Sequence, residues 1–395
     1  MEMMNRSGKL PDINPGEKQK YFMDFVSNSI SRDNFPFSIW SKLLREVLAS
    51  ESSEHILAAA PIGGILELRR AIADHLYQFR GMIVETEQVI IGAGTEYLYN
   101  LLIQLLGRKL IFAVEDPGYR KLTDIYESND VECRHIPMDE AGIRIEELEK
   151  DRVDIIHISP SHHFPTGIVM PVSRRYELLS WASKNETRYI IEDDYDCEFR
   201  LSGKPIPTLQ SIDVMEKVIY LNTFSKNLAP SFRISYMVLP KHLVNKFYET
   251  LGFYSCTVSN FEQYTLVDFI TKGYFEKHIN RMRNLYREKR NYILQTIRSS
   301  RLNPYITIEG EDSGLHFLMR IVTKMSDEEI TRKAGKAGIH ISSLSEYYYL
   351  KENIEEHVFI INYSGVDKEK LQEAVKRLEE IIVAGSSDVN LRWER

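Results

Sequence analysis

A chain of 395 residues is too long for one small core and, at roughly one domain per 100 to 200 residues, predicts two lobes. Its 43% hydrophobic and 27% charged residues exclude a disordered chain. A formal charge of −7 without a basic stripe argues against direct nucleic acid binding by this chain and favours small-molecule ligands.

From the N-terminus, residues 1–20 read as a polar tether, without the apolar core of a secretory signal. Over 64–80, Ile65, Leu68, Ile72, Leu76 and Phe79 recur at spacings of three and four, which predicts an amphipathic helix. Short apolar runs follow at VII from Val89, LIFAV from Leu110, DIIHIS from Asp154, YIIED from Tyr189, VIYLN from Val218 and SYMVL from Ser235. Helical stretches such as 172–182 separate several of them, so a mostly parallel sheet between helices is expected. After Tyr254 the pattern turns helical, through the charged stretch RMRNLYREKRNYILQTI, which is expected to cross between lobes. A last amphipathic helix places Leu371, Val375, Leu378 and Ile382 on one face. The expected organisation is a large α/β domain over 58–275 and a smaller α+β domain built from 276–395 together with 21–57.

No apolar run approaches the ~18 residues of a membrane span. Cys133, Cys197 and Cys256 are odd in number and lack metal-type spacing. A cytoplasmic protein with no disulfide framework and no membrane partner is the expectation.

In parallel α/β sheets ligands sit beyond the carboxyl ends of the strands, so polar residues after each apolar run are the first candidates. After VIIG comes GAGTEYLYNLL, where glycines allow close backbone approach and a helix start offers N–H groups to a phosphate. A plain turn before a helix would look the same. After LIFAV comes EDPGYR, with Tyr119 on a Pro-Gly turn, either against a flat ligand or simply packed. After YIIE comes DDYDCEF, where an Asp can hold the positive charge of a buried ring nitrogen. A solvated turn or a Mg²⁺ site are the alternatives; the glycine of a Ca²⁺ loop is missing, and no metal is expected. After VIYLN comes TFSKNLAPSFR, a Lys flanked by hydroxyls with an Arg seven residues on. A lysine emerging from an apolar strand is desolvated, which lowers its pKa and makes it a candidate amine nucleophile.

Together with SRDNFPFSIW, SPSHHFPTG and the run to RISYMVLP, these segments resemble the fold-type I pyridoxal-phosphate aminotransferases (class I/II). The similarity is greatest to the aminotransferase-like effector domains of MocR/GabR-type regulators of the GntR family. It runs from roughly Phe25 to Val383, and its most specific part is IEDDYDCEFR and TFSK, with Asp193 and Lys226 33 positions apart.

The resemblance implies an aspartate-aminotransferase-like fold, pyridoxal 5′-phosphate as cofactor, and Lys226 as its Schiff-base lysine and proton carrier. Asp193 would pair with the pyridinium nitrogen and Tyr195 with the ring's phenolic oxygen. Gly94, Thr95 and Glu96 would offer backbone donors to the phosphate, joined by Thr223, Ser225 and Arg233, whose guanidinium matches phosphate geometry. Tyr119 would stack on the ring, and His162 and His163 would lie beside it. Two positions depart from the regulators' pattern: Lys121 and Glu346 stand where arginines commonly serve a ligand carboxylate. Glu346 is therefore expected to face the ligand and favour a second cationic group; the alternative is that the extra tyrosine of EYYYL shifts the loop, leaving Glu346 in solvent and Lys121 to receive an acid.

The implied activity is that of an aminotransferase acting on an amine or amino acid. The alternative is the ligand-sensing effector domain of a MocR/GabR-type regulator without its winged helix-turn-helix in this chain, since the residues before Phe25 are too few to hold one; another lyase reaction of the same fold is a third reading. Because fold-type I sites are built between two subunits, a homodimer is implied.

Overall fold

The computed structural model describes residues 20–27, 34–50, 53–201, 206–312 and 314–385. All of the tether expected over 1–20 except Lys20, and Ser31, Arg32 and Asp33 of SRDNFPFSIW, lie outside the described residues.

Eight strands form the larger sheet: β1 (Val89–Gly92), β2 (Phe112–Asp116), β3 (Cys133–Asp139), β4 (Gly142–Ile143), β5 (Ile155–Ile158), β6 (Tyr189–Asp193), β7 (Val218–Thr223) and β8 (Ser235–Val238). Their order is β1-β8-β7-β6-β5-β2-β3-β4. From β3 through β2, β5, β6 and β7 every pairing is parallel, while β8 runs antiparallel to both of its neighbours. The central strands are apolar runs rather than alternating ones because helices cover both faces of the sheet. Each apolar run named above holds one of these strands. The segment CRHIPMD, in contrast, carries no apolar signal and yet is a strand: β3 has only β4, two residues long, beyond it, and Ile136 is its single fully buried residue.

Helices follow the predicted periodicities. The helix α1 (Phe37–Ser50) precedes α2 (Leu66–Arg80), which buries Leu68, Ile72 and Leu76 and ends on Gly81 in the left-handed conformation that glycine adopts without a Cβ penalty. Next come α3 (Thr95–Leu106), α4 (Val172–Ser183), α5 (Lys241–Leu251) and α6 (Asn260–Thr271). One face of the sheet packs on α3 and α5, and part of the opposite face on α4. The charged stretch after residue 280 belongs to α7 (Tyr274–Arg298), 25 residues long, with Met282, Tyr286, Ile293 and Ile297 buried.

Beyond α7 a second, antiparallel sheet holds β9 (Ile306–Glu309), β10 (His316–Ile321), β11 (Ser342–Ser343) and β12 (Val358–Asn362), in the order β9-β10-β12-β11. It packs with α7, α8 (Asp327–Lys336) and α9 (Lys368–Gly385) in one cluster that also takes in α2. The N-terminal segment divides. Met23–Asp24 pairs with Ile339–His340 and the Phe25 carbonyl accepts from Asn362 N at 2.8 Å, whereas α1 packs on α6.

Candidate active site

The carboxyl ends of β2, β5, β6 and β7 open into a cavity of about 520 Å³ that α3 and the second sheet also wall. Strand alternation sorts the acids at the end of β6. Glu192 is buried against Arg175 at 3.5 Å and accepts from the N–H groups of Leu209 and Gln210. Asp194 pairs with Arg80 at 2.9 Å and accepts from Tyr220. Asp193, between them, faces the cavity.

Tyr99, on α3, donates to Asp193 Oδ2 at 2.7 Å, and His157 Nε2 stands 3.6 Å from the same oxygen. His157 is itself held at Nδ1 by Tyr126 Oη, 2.8 Å away. Asp193 Oδ1 is buried with no hydrogen-bond partner. A carboxylate braced on one oxygen and free on the other is suited to a cationic N–H acceptor role. Tyr99, His157 and Tyr126 escape sequence reasoning because aromatic and histidine residues on apolar faces read as core; the lone histidine inside the apolar strand DIIHIS is a signal that could have found His157.

Lys226 shares the cavity with Asp193, Tyr195 and Asp196. Burial lowers the pKa of its ammonium below the ordinary value, opposed by Asp196 and Asp193. The lysine sits on the connection between the antiparallel neighbours β7 and β8. That loop is braced from within: Ser225 N donates to Thr223 Oγ1 at 3.1 Å, Ser235 Oγ donates to the same oxygen at 2.8 Å, and Ser225 Oγ donates to the Phe232 carbonyl. Tyr195 lies 3.5 Å from His162 Nδ1, which is paired at 2.7 Å with Asp196. Burial, then Asp196 and Asp193, push the Tyr195 phenol well above its usual range.

At the start of α3, Gly94 has φ 93°, and a Cβ there would run into the Arg233 guanidinium. The first N–H groups of that helix have no intrahelical partner. Arg233 is ion-paired with the Glu96 carboxylate, and so is Lys121. Gly94, Thr95, Glu96, Lys121, Thr223, Ser225, Lys226 and Arg233 are thus brought together.

Of the other predicted residues, Tyr119 lies on this cavity's wall, whereas His163 and Glu346 do not. Tyr119 is 51% exposed at the cavity wall, edge-on to Phe164. His163 does not line the cavity: it is buried, with Nδ1 on Thr166 at 2.7 Å and Nε2 3.4 Å from Glu115. Burial drives both of that pair toward neutrality, His163 down to about 3 and Glu115 up to about 8. Glu346 lines a smaller neighbouring cavity instead. Its carboxylate accepts from Ser342 Oγ at 2.9 Å and from Ser343, completing a capping box on its own turn. Val26, His316 and Asn362, which the sequence did not single out, are on the main cavity's wall.

The residues present fit pyridoxal 5′-phosphate. The unpartnered Asp193 Oδ1 suits its ring nitrogen, the desolvated Lys226 its aldehyde, and the glycine-led helix start with Arg233 its phosphate.

Comparison with known proteins agrees. The chain is 38% identical over 375 residues to the uncharacterized HTH-type transcriptional regulator YdeL of Bacillus subtilis, covering 94% of this chain and 80% of the relative. It is 31% identical to the probable rhizopine catabolism regulatory protein MocR of Rhizobium meliloti, over 91% and 72% of the two chains. In three dimensions it is similar to the multiple substrate aminotransferase of Thermococcus profundus, with a TM-score of 0.80, 25% identity and 94% of each chain covered. The family model for aminotransferase class I and II matches residues 22–378. A match of that extent, over a cavity with this chemistry, means that the chain belongs to the aminotransferase class I and II family, in the group it shares with MocR-type regulators.

Proposed function

We propose that the protein is a pyridoxal 5′-phosphate-dependent aminotransferase acting on an amine or amino acid through Lys226. Asp193 carries the reading: one oxygen is fixed by Tyr99 and the other is buried without a partner in the cavity that holds the desolvated lysine. The cofactor supplies, when bound, an electron sink for bond breaking at the ligand carbon. Asp193 keeps the ring nitrogen protonated, and Tyr195 holds the phenolic oxygen. The main chain at Gly94, Thr95 and Glu96, with Thr223, Ser225 and Arg233, holds the phosphate, and Tyr119 covers the ring from the cavity wall. Lys226 Nζ would anchor the cofactor and would be the base that moves a proton at the ligand carbon. A homodimer and a cytoplasmic location belong to the same proposal; among the described residues no helix is long and apolar enough to cross a membrane.

Identity to HTH-type regulators over most of this chain supports a second reading, in which the same capture of an amine serves as the effector domain of a transcriptional regulator.

Two measurements test these readings. Borohydride reduction after incubation with the cofactor, followed by peptide mapping, is expected to label Lys226; a label on another lysine, or none, overturns the site. Supplying an amine together with a 2-oxo acid separates the two roles, since continuous turnover marks an aminotransferase and a single stoichiometric conversion marks a sensor.

A further inference from the structure

The Glu96 carboxylate bridges two cations of the cavity wall, Lys121 and Arg233, the latter beside the helix start. Burial would raise its pKa, but Lys121 and Arg233 outweigh burial and hold it down to about 2, so the carboxylate is charged throughout the working range. Lys121, the cation that a ligand's carboxylate would seek, is therefore already engaged by an internal one. An anion that takes Arg233 leaves Glu96 wholly to Lys121.

Apart from Lys121, Lys226 and Arg233, the described residues of the cavity wall carry no cation. Val26, Phe164 and Leu315 are there, and His316 donates from Nε2 to the Pro165 carbonyl at 3.1 Å. Burial, reinforced by His162, keeps its imidazole well below the usual range and uncharged. Asn362 has its side-chain oxygen occupied by Ser364 N and Oγ, at 3.0 and 2.8 Å, which leaves only an uncharged NH₂ for the cavity. A carboxylate placed next to a reacting amine would have to displace Glu96 from Lys121 or lie unpaired beside it. Like charges side by side repel, and an unpaired carboxylate in a partly closed cavity loses hydration without recompense.

We propose that Glu96 is a specificity-determining residue, and that the cavity takes primary amines with an apolar body and no carboxylate beside the amine. The inference rests on the covalent cofactor reading given above. It assigns the Glu96 side chain a role separate from that of its main-chain N–H.

The test compares 3-methylbutylamine with leucine, which share a side chain and differ by the carboxylate. Dissociation constants are measured on cofactor-loaded wild type and Glu96→Gln, by calorimetry and by the absorbance change of the bound cofactor. The amine is expected to bind wild type at least about tenfold more tightly than leucine, and Glu96→Gln to narrow that ratio by about tenfold through freeing Lys121. Leucine binding wild type as tightly as the amine, binding of neither, or an unchanged ratio in Glu96→Gln overturns the proposal. Borohydride mapping on the same samples separates the failures: without label on Lys226 the cofactor reading itself falls, whereas label on Lys226 with the wrong ratio removes only the role of Glu96.

Discussion

The two oxygens of Asp193 have different surroundings, one held by Tyr99 and the other free, and that asymmetry is what an amide substitution destroys. Asp193→Asn is expected to keep covalent capture of the cofactor at Lys226 while slowing conversion of any active amine by about a hundredfold or more, because an amide does not hold a ring nitrogen protonated. Borohydride trapping and the single-turnover rate measure the two effects separately; a wild-type rate removes Asp193 from its proposed role. Lys226, Asp193 and Arg233 were legible in the sequence because they stand at the end of an apolar strand or in the loop after one, where polar residues stand out. Their supports were not, since Tyr99 and His157 sit on apolar faces and differ from core residues only in what they touch. Glu115 gives a second prediction, with its sign fixed by burial. Its carboxyl is held protonated up to about 8 in the fold but ionises near the ordinary value of 4.5 when unfolded. Over that interval the folded state binds more protons, so its contribution to stability falls as pH rises through it. Glu115→Gln lacks that loss, and its melting temperature relative to wild type is expected to climb by on the order of 2 °C between pH 5 and pH 8. A difference that stays flat or falls contradicts a buried neutral Glu115.

At the level of elements, the apolar strands of the large sheet could be read directly because both faces are covered. The strand β3 could not, since an outer strand with one fully buried side chain leaves no period to detect. The same logic hid Glu346: the spacing in LSEYYYL identifies a motif position, but only the turn's own geometry shows the carboxylate closing on Ser342 and Ser343. Two element junctions can be tested. Gly94→Ala would put a Cβ into the Arg233 guanidinium at a backbone angle of 93°, so it is expected to weaken cofactor affinity by at least about tenfold without unfolding the protein. Fluorescence titration of the apoprotein reads this directly, and unchanged affinity would dissociate the helix start from the phosphate. Arg175, fully buried at the start of α4, ties three segments through the carbonyls of Pro160, Met170 and Pro207 and faces Glu192. Arg175→Ala is expected to cost about 3–5 kcal/mol, by removing the cation beside buried Glu192 and three hydrogen bonds to carbonyls, as measured by chemical denaturation. A loss under about 1 kcal/mol would mean that water replaces the guanidinium.

Across the whole molecule the cavity exists because the two sheets are tied together around it. Asp116, at the end of β2, accepts from the N–H groups of Tyr349 and Leu350 at 2.7 and 3.1 Å, and Gly118 N donates to the Tyr347 carbonyl at 3.1 Å. Asp116→Ala is expected to lower stability by about 1–3 kcal/mol and to speed proteolytic cleavage within 344–351. Equal cleavage rates would show that the tie is redundant. The segment at 23–26 is joined to the cavity even more directly. Val26 lines it, and the Phe25 carbonyl takes its hydrogen bond from the main-chain N–H of Asn362, a residue that lines it too. A ligand held at this segment and one held in the cavity would therefore touch shared residues, and any coupling between them is reciprocal. By the factor through which an amine tightens or loosens the grip on this segment, the grip must change the affinity for the amine, whether or not any turnover takes place.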